Sequence, residues 1–217
     1  METATYDPTG LIAGPFPIVS KSGTVLTGQN LVRGTALGRI LAGAVTVAAK
    51  AGGNTGGGTL TLDATTPKLA GAKPSVIEVR AIAAATNSGT FRATEVAGGV
   101  RTFLGDFAVG DTFANKVKFV VADVGADFIV GDGFDITIAA GSKKLVKSLA
   151  AAVDGSEKPF AVLAADVDAT DADRAAPYYV SGEFATSKMT FGAGHTADTV
   201  EDAFRDNNTP IFLKVLN

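Results

Sequence analysis

Short β-prone runs, broken at close intervals by glycine-containing turns, constrain this chain more than any other feature. Five of them follow one another at residues 59–62, 76–82, 89–95, 117–121 and 134–138. Asn-Ser-Gly, Gly-Gly and Gly-Asp-Gly turns punctuate this stretch. Alternation of apolar and polar residues puts one face of each run inside and the other in water. Strands this short and this closely spaced pack as antiparallel sheets. The middle of the chain therefore reads as an antiparallel β-sandwich or a barrel-like unit.

The flanks are also β-rich. In LVRGTALGRI (31–40), Gly34 and Gly38 punctuate two strand-like pieces. Residues 51–58, AGGNTGGG, have the composition of a flexible linker and mark the expected domain boundary, with Gly141 closing the unit. Beyond it, 143–152 fits a helix or an extended segment equally well. Residues 159–164 and 178–184 read as strands, with 166–176 as an acidic loop between them. One helix is well signalled. Asp198 suits its N-cap, Glu201 stands three residues on, and Val200 and Phe204 share a face. Asn207, Asn208 and Pro210 end it, and 211–216 return to strand. The expected organisation is an N-terminal arm (1–19), a discontinuous core domain (20–55 and 141–217) and an inserted β domain (56–140). The fold class is mainly β, with one short C-terminal helix.

The arm combines two properties that rarely coincide. Pro8, Pro15 and Pro17 exclude helix, yet Tyr6, Leu11, Ile12, Phe16 and Ile18 are apolar. Such a segment is either an edge strand packed on its own domain or an arm that docks on a partner.

Composition removes several function classes. Net charge is −3 and the densest basic stretch is Lys143, Lys144 and Lys147, too little to displace counterions from a nucleic acid. No apolar run approaches the length of a membrane span. Cysteine is absent, which leaves neither disulfide nor thiolate. The N-terminus, METATYDPTG, has no basic start and no apolar core of a signal peptide, so assembly in a cytoplasm is expected.

Nor does a reaction centre emerge. His195 is the sole histidine, flanked by Gly194 and Thr196, with Ser187 and Asp198 near it only in sequence. A triad needs a base held between nucleophile and carboxylate. Asp166, Asp168, Asp171 and Asp173 fall in one loop, and Asp127, Asp132 and Asp135 surround Gly131 and Gly133. Neither set has the central glycine and closing glutamate of a calcium loop. Aspartates in turns accept hydrogen bonds from their own backbone. No catalytic, metal or cofactor site is expected.

At LVRGTALGRI (31–40) and DGSEKPFAVLAADVDATDADRAAPYYVSGEFATSKMTF (154–191) the chain resembles the lambda-type phage head decoration (protein D) family. The similarity covers about 1–50 and 142–217, while 56–140 looks like an appended phage structural β module. The resemblance implies a virion protein, assembled in the host cytoplasm and seated on the outer surface of the capsid. It implies a homotrimer at three-fold or quasi-three-fold sites that binds the major capsid protein through the arm. The energetics are balanced: each buried apolar arm residue contributes about 1.5–3 kcal/mol, while ordering costs about 1–2 kcal/mol per residue. Three arms on one trimer turn a marginal contact into a firm one. The alternative is a surface module that adheres to host glycans through the insert. That reading asks for exposed aromatics, whereas the insert holds Phe in strands and no Trp or Tyr. An enzyme such as a glycan hydrolase is the remotest alternative.

Overall fold

Glycine-punctuated runs become strands over nearly half of residues 10–216, which the computed structural model describes. The first unit holds β1 (Val19–Val25), β2 (Gln29–Leu31) and β3 (Ala36–Arg39). The chain then enters a second unit, Leu41–Ser142. Its strands are β4 (Ala42–Ala49), β5 (Thr59–Leu62), β6 (Ser75–Ala85), β7 (Ser88–Ala97), β8 (Val100–Ala108), β9 (Thr112–Asn115), β10 (Val117–Ala122) and β11 (Gly133–Ala140). Back in the first unit come β12 (Leu145–Lys147), β13 (Ala161–Leu163), β14 (Val167–Ala169), β15 (Arg174–Ala185), helix α1 (Ala197–Asp206) and β16 (Ile211–Lys214).

In the first unit β1, β12, β3, β13 and β15 are neighbours in that order, and β15 pairs back onto β1. The result is a small closed barrel. Apart from the twelve-residue β15 the barrel strands are only three to seven residues long, and closure removes the unpaired edges that so short a sheet would expose. The far end of β15 continues past the barrel and pairs in parallel with β16. One apolar cluster, including Val25, Leu37, Leu145 and Leu163, fills the barrel. A second gathers Leu11, Phe184, Val200, Phe204 and Ile211 beneath α1.

The second unit is a sandwich of a five-stranded sheet (β4-β11-β6-β7-β8) and a three-stranded sheet (β5-β10-β9), antiparallel throughout. Period-two burial is clearest in β6, where Ile77, Val79 and Ala81 point inward and Glu78 and Arg80 outward. Phe91, Phe107, Phe113, Phe119, Phe128 and Phe134 form a chain of ring contacts with centroids 5.0–6.1 Å apart. Each such pair adds about 0.5–1.5 kcal/mol to burial. One inward position breaks the apolar rule. Glu95, only 1% exposed, accepts from Ser75 Oγ (3.1 Å) and pairs with Lys116 (2.6 Å). Lys116 reaches it from a left-handed turn residue, φ 59°.

Several sequence expectations are corrected. Residues 51–58 lie inside the second unit. The glycines there serve close approach as well as turning: a Cβ on Gly56 or Gly58 would meet Phe128 at 2.8 and 2.2 Å. Asp132 accepts from the amides of Thr55 (3.0 Å) and Gly56 (2.9 Å), which fixes this stretch against the sandwich. β4, expected in the core domain, pairs instead with β11. The acidic segment 166–176 contains β14, which forms a ribbon with β2. Residues 143–152 are extended or turn, because β12 is held between β1 and β3. The N-cap of α1 is Thr196, whose hydroxyl and that of Thr199 cap each other's amides. Asp198 falls in the first turn, where its charge favours the helix dipole.

Candidate functional site

The N-terminal segment is the first candidate, and Tyr6 lies outside the described residues. From residue 10 the segment runs along the end of β15. Leu11 is 3% exposed and sits in the cluster beneath α1. Its carbonyl accepts from Ala185 (2.8 Å), and the Ala13 amide donates to Glu183 O (2.8 Å), with Ile12 bridged antiparallel to Phe184. Two glycines make this seat. Gly34, at φ +87°, leaves room for Leu11 Cδ1, and a Cβ on Gly14 would collide with the Glu183 carboxylate. That carboxylate binds Lys214 (2.8 Å).

Past Gly14 the segment becomes more exposed. Phe16 is half-buried and meets Phe212 edge-on, centroids 5.1 Å apart. Phe212 itself is 40% exposed and Val215 81%. Ser181 Oγ donates to Pro17 O, and Ile18 is half-buried before β1 begins at the exposed Val19. A shallow depression beside this strip is lined by Val19, Lys21, Phe160, Val180 and Pro210. Leu11 and Ile12 are therefore docked on their own unit, whereas Phe16, Phe212, Val19 and Val215 present apolar surface.

The polar candidates are occupied by one another. Ser148 Oγ lies 3.1 Å from His195 Nε2, a pairing that sequence spacing could not show. Ser148 is fully buried, however, and its hydroxyl donates to Ser156 O (2.7 Å). Nε2 must then be the donor, so the imidazole cannot take the serine proton. Thr199, not a carboxylate, stands 3.5 Å from Nδ1. The arrangement holds a loop.

The aspartates behave similarly. Asp166 accepts from Arg33 N (2.7 Å), Asp168 from Thr170 N (3.0 Å) and Asp173 from Thr27 N (2.9 Å). Asp127 accepts from Asn87 N (2.8 Å), and Asp135 pairs with Arg80. Burial opposes the charge on Asp132, but amides of Thr55, Gly56 and Ile129 outweigh it and hold the carboxyl below its usual range. A cleft in the sandwich, near Thr61, Thr112 and Phe119, contains the ion pair Asp63–Lys118 (2.9 Å). Lys118, followed by the Thr65 and Thr66 donors, holds the Asp63 carboxyl far below the usual range. These groups stabilise loops and strand ends, and none is poised to transfer a proton.

A family model described as bacteriophage lambda head decoration protein D matches residues 11–209. The chain belongs to that family. Neither the curated proteins nor the solved structures gave a significant match. Head decoration proteins are structural components of the phage capsid and not enzymes. In this decoration protein the matched span begins at Leu11, the first buried residue among those described, and includes the whole second unit.

Proposed function

We propose that this chain is a cementing subunit that binds the outer surface of a phage head as a homotrimer at three-fold or quasi-three-fold sites. There it stabilises the shell against internal genome pressure. The family match carries the capsid assignment; the trimer and its seat are the further step. The partner is the major capsid protein, engaged by the N-terminal segment that includes Tyr6, Leu11, Ile12, Phe16 and Ile18. Their roles divide. Leu11 and Ile12 anchor the segment on its own unit, so their burial contributes nothing new on the capsid. Tyr6, Phe16 and Ile18, with Phe212 against Phe16, supply contact surface. Residues 41–142 form an inserted module whose loss leaves the decoration function intact.

Mixing the purified protein with undecorated expanded capsids and imaging the lattice tests this reading. Density at the three-fold sites is expected, and density elsewhere or nowhere overturns it. Deleting residues 2–9 separates the roles, because it leaves the Leu11 anchor in place. Occupancy should fall while the melting temperature of the free protein holds. Unchanged occupancy would remove residues 2–9, Tyr6 among them, from the mechanism.

One observation favours a second reading, adhesion to host glycans through the second unit. Phe103 on β8 is 61% exposed, with the Arg92 guanidinium 5.2 Å from its ring centre. A glycan array on the isolated protein decides it: a hit lost in Phe103→Ala supports adhesion, and an empty array ends it.

A further inference from the structure

The five-stranded sheet of the second unit has two edges, β8 and β4, and they differ in kind. β8 is obstructed. It carries Arg101 and Asp106, its register breaks beside Gly105, and Asn115 Nδ2 donates to the Leu104 carbonyl (2.9 Å). Charges, irregular register and side-chain cover are the usual protections of an edge strand. β4, with the sequence AGAVTVAA, is eight residues long and carries neither charge nor proline.

The outward hydrogen-bonding groups of β4 can be assigned. Lys50 N donates to Gly133 O (3.0 Å), so alternation turns the backbone groups of Ala48 and Thr46 toward β11 as well. Those of Val45, Val47 and Ala49 face away. At the start of the strand, the Lys68 ammonium already takes the carbonyls of Ala42 (3.1 Å) and Gly43 (2.8 Å). Further along, β4 pairs with no second strand among the described residues. Val45 and Val47 turn their side chains to the core, while Ala44, Thr46 and Ala48 are exposed. An incoming strand meets small, uncharged groups.

We propose that β4 is a self-association edge, pairing antiparallel with β4 of a second copy about a two-fold axis at Val47. In that register Val47 faces its own counterpart, Val45 faces Ala49, and Thr46 faces Ala48. All three outward residues of each strand find partners, and no like charges meet. The strand is its own complement, which an unrelated charged or bulky strand would not match. The contact is isologous and closes on itself. It is distinct from a three-fold arrangement, and on a capsid it would link one decoration subunit to its neighbour. A single strand pair is a small interface, so association in solution is weak, while many copies on a lattice add up.

Sedimentation equilibrium of the full chain, from high dilution to about 1 mM, tests this. The average mass should climb above its dilute-limit value, toward twice that value for a dilute-limit monomer and beyond it for a trimer, which carries three such edges. Val47→Pro removes an outward amide that the β4–β11 ladder does not use, and should leave the mass at the dilute limit. Thr46→Lys adds an ammonium to each strand of the shared face and should do the same; it serves if the proline variant fails to fold, as judged by circular dichroism. A wild-type mass that stays flat, or a concentration-dependent rise that Thr46→Lys or a folded Val47→Pro retains, overturns the proposal. The dilute-limit mass reads the trimer separately, so either idea can fail without the other.

Discussion

In the first unit β15 returns to β1 and closes the sheet, whereas the second unit stacks two sheets with open edges. The closed unit is assembled from distant pieces: Val25 pairs with both Leu145 and Arg174, and Gly182 with Ile211. Its apolar residues divide into two modest clusters, one inside the barrel and one under α1. The sandwich keeps β6, β7 and β8 as a local meander and gathers all of its phenylalanines but Phe103 into one cluster. Closure gives freedom from edges at the cost of long-range pairing, which slows folding. Stacking gives a larger continuous core but leaves edges, and in the five-stranded sheet β8 is obstructed while β4 is bare.

The strongest way to break this contrast is excision. Lys143 N donates to Ile40 O (2.9 Å) and Ile40 N to Lys144 O (3.1 Å), so the two ends of the first unit already lie side by side. Replacing 42–141 by a short Gly/Ser connection should leave a soluble protein with one cooperative melt. Replacing 56–140, the boundary expected from composition, leaves β4 without β11 and should give insoluble product. Equal behaviour of the two would show that the units are not separable where the structure divides them.

Core truncation comes next. Phe119→Ala in the sandwich and Phe204→Ala in α1 each remove a ring that is at most 1% exposed. Each should cost about 3–5 kcal/mol. If the units are thermodynamically distinct, calorimetry should show each variant lowering a different transition. A single transition lowered equally by both would mean that the units unfold together.

A smaller effect is expected at Asp132, which ties 51–58 to the sandwich. Asp132→Ala leaves three amides without their acceptor, but they lie on exposed or half-buried residues that water can reach, so the total loss should be about 1–3 kcal/mol. The folded carboxyl titrates below its unfolded value. Its contribution is therefore complete above the ordinary carboxylate range and disappears as pH falls through the lower folded value. Urea unfolding from neutral to acid pH should show a gap between wild type and variant that narrows with acid. A gap independent of pH would place the effect in packing.

The smallest concerns α1. Thr196→Ala removes the hydroxyl that caps Thr199 N (3.3 Å) and should destabilise the first unit by about 0.5–2 kcal/mol. Asp198→Ala, at the expected but incorrect N-cap, should cost less, about 0.3–1 kcal/mol from the helix dipole. Chemical denaturation of both variants sets their order, and a larger loss at Asp198 would reverse the capping assignment.

By itself the sequence determined the class of the fold, the strands at 59–62, 76–82, 89–95, 117–121 and 134–138, and the α1 face of Val200 and Phe204. Those features follow from local periodicity and from burial of one face, which a window of a few residues already encodes. Tertiary structure alone decided the rest. Glycines at 56 and 58 look like linker until Phe128 is seen against them, and Ser148 lies 47 residues from the histidine it meets. Leu11 reads as edge strand or docking arm until Gly34 and the cluster beneath α1 provide its seat. β4 and β14 found their partners because neighbouring strands had edges to pair, a long-range hydrogen-bonding demand that no local pattern carries.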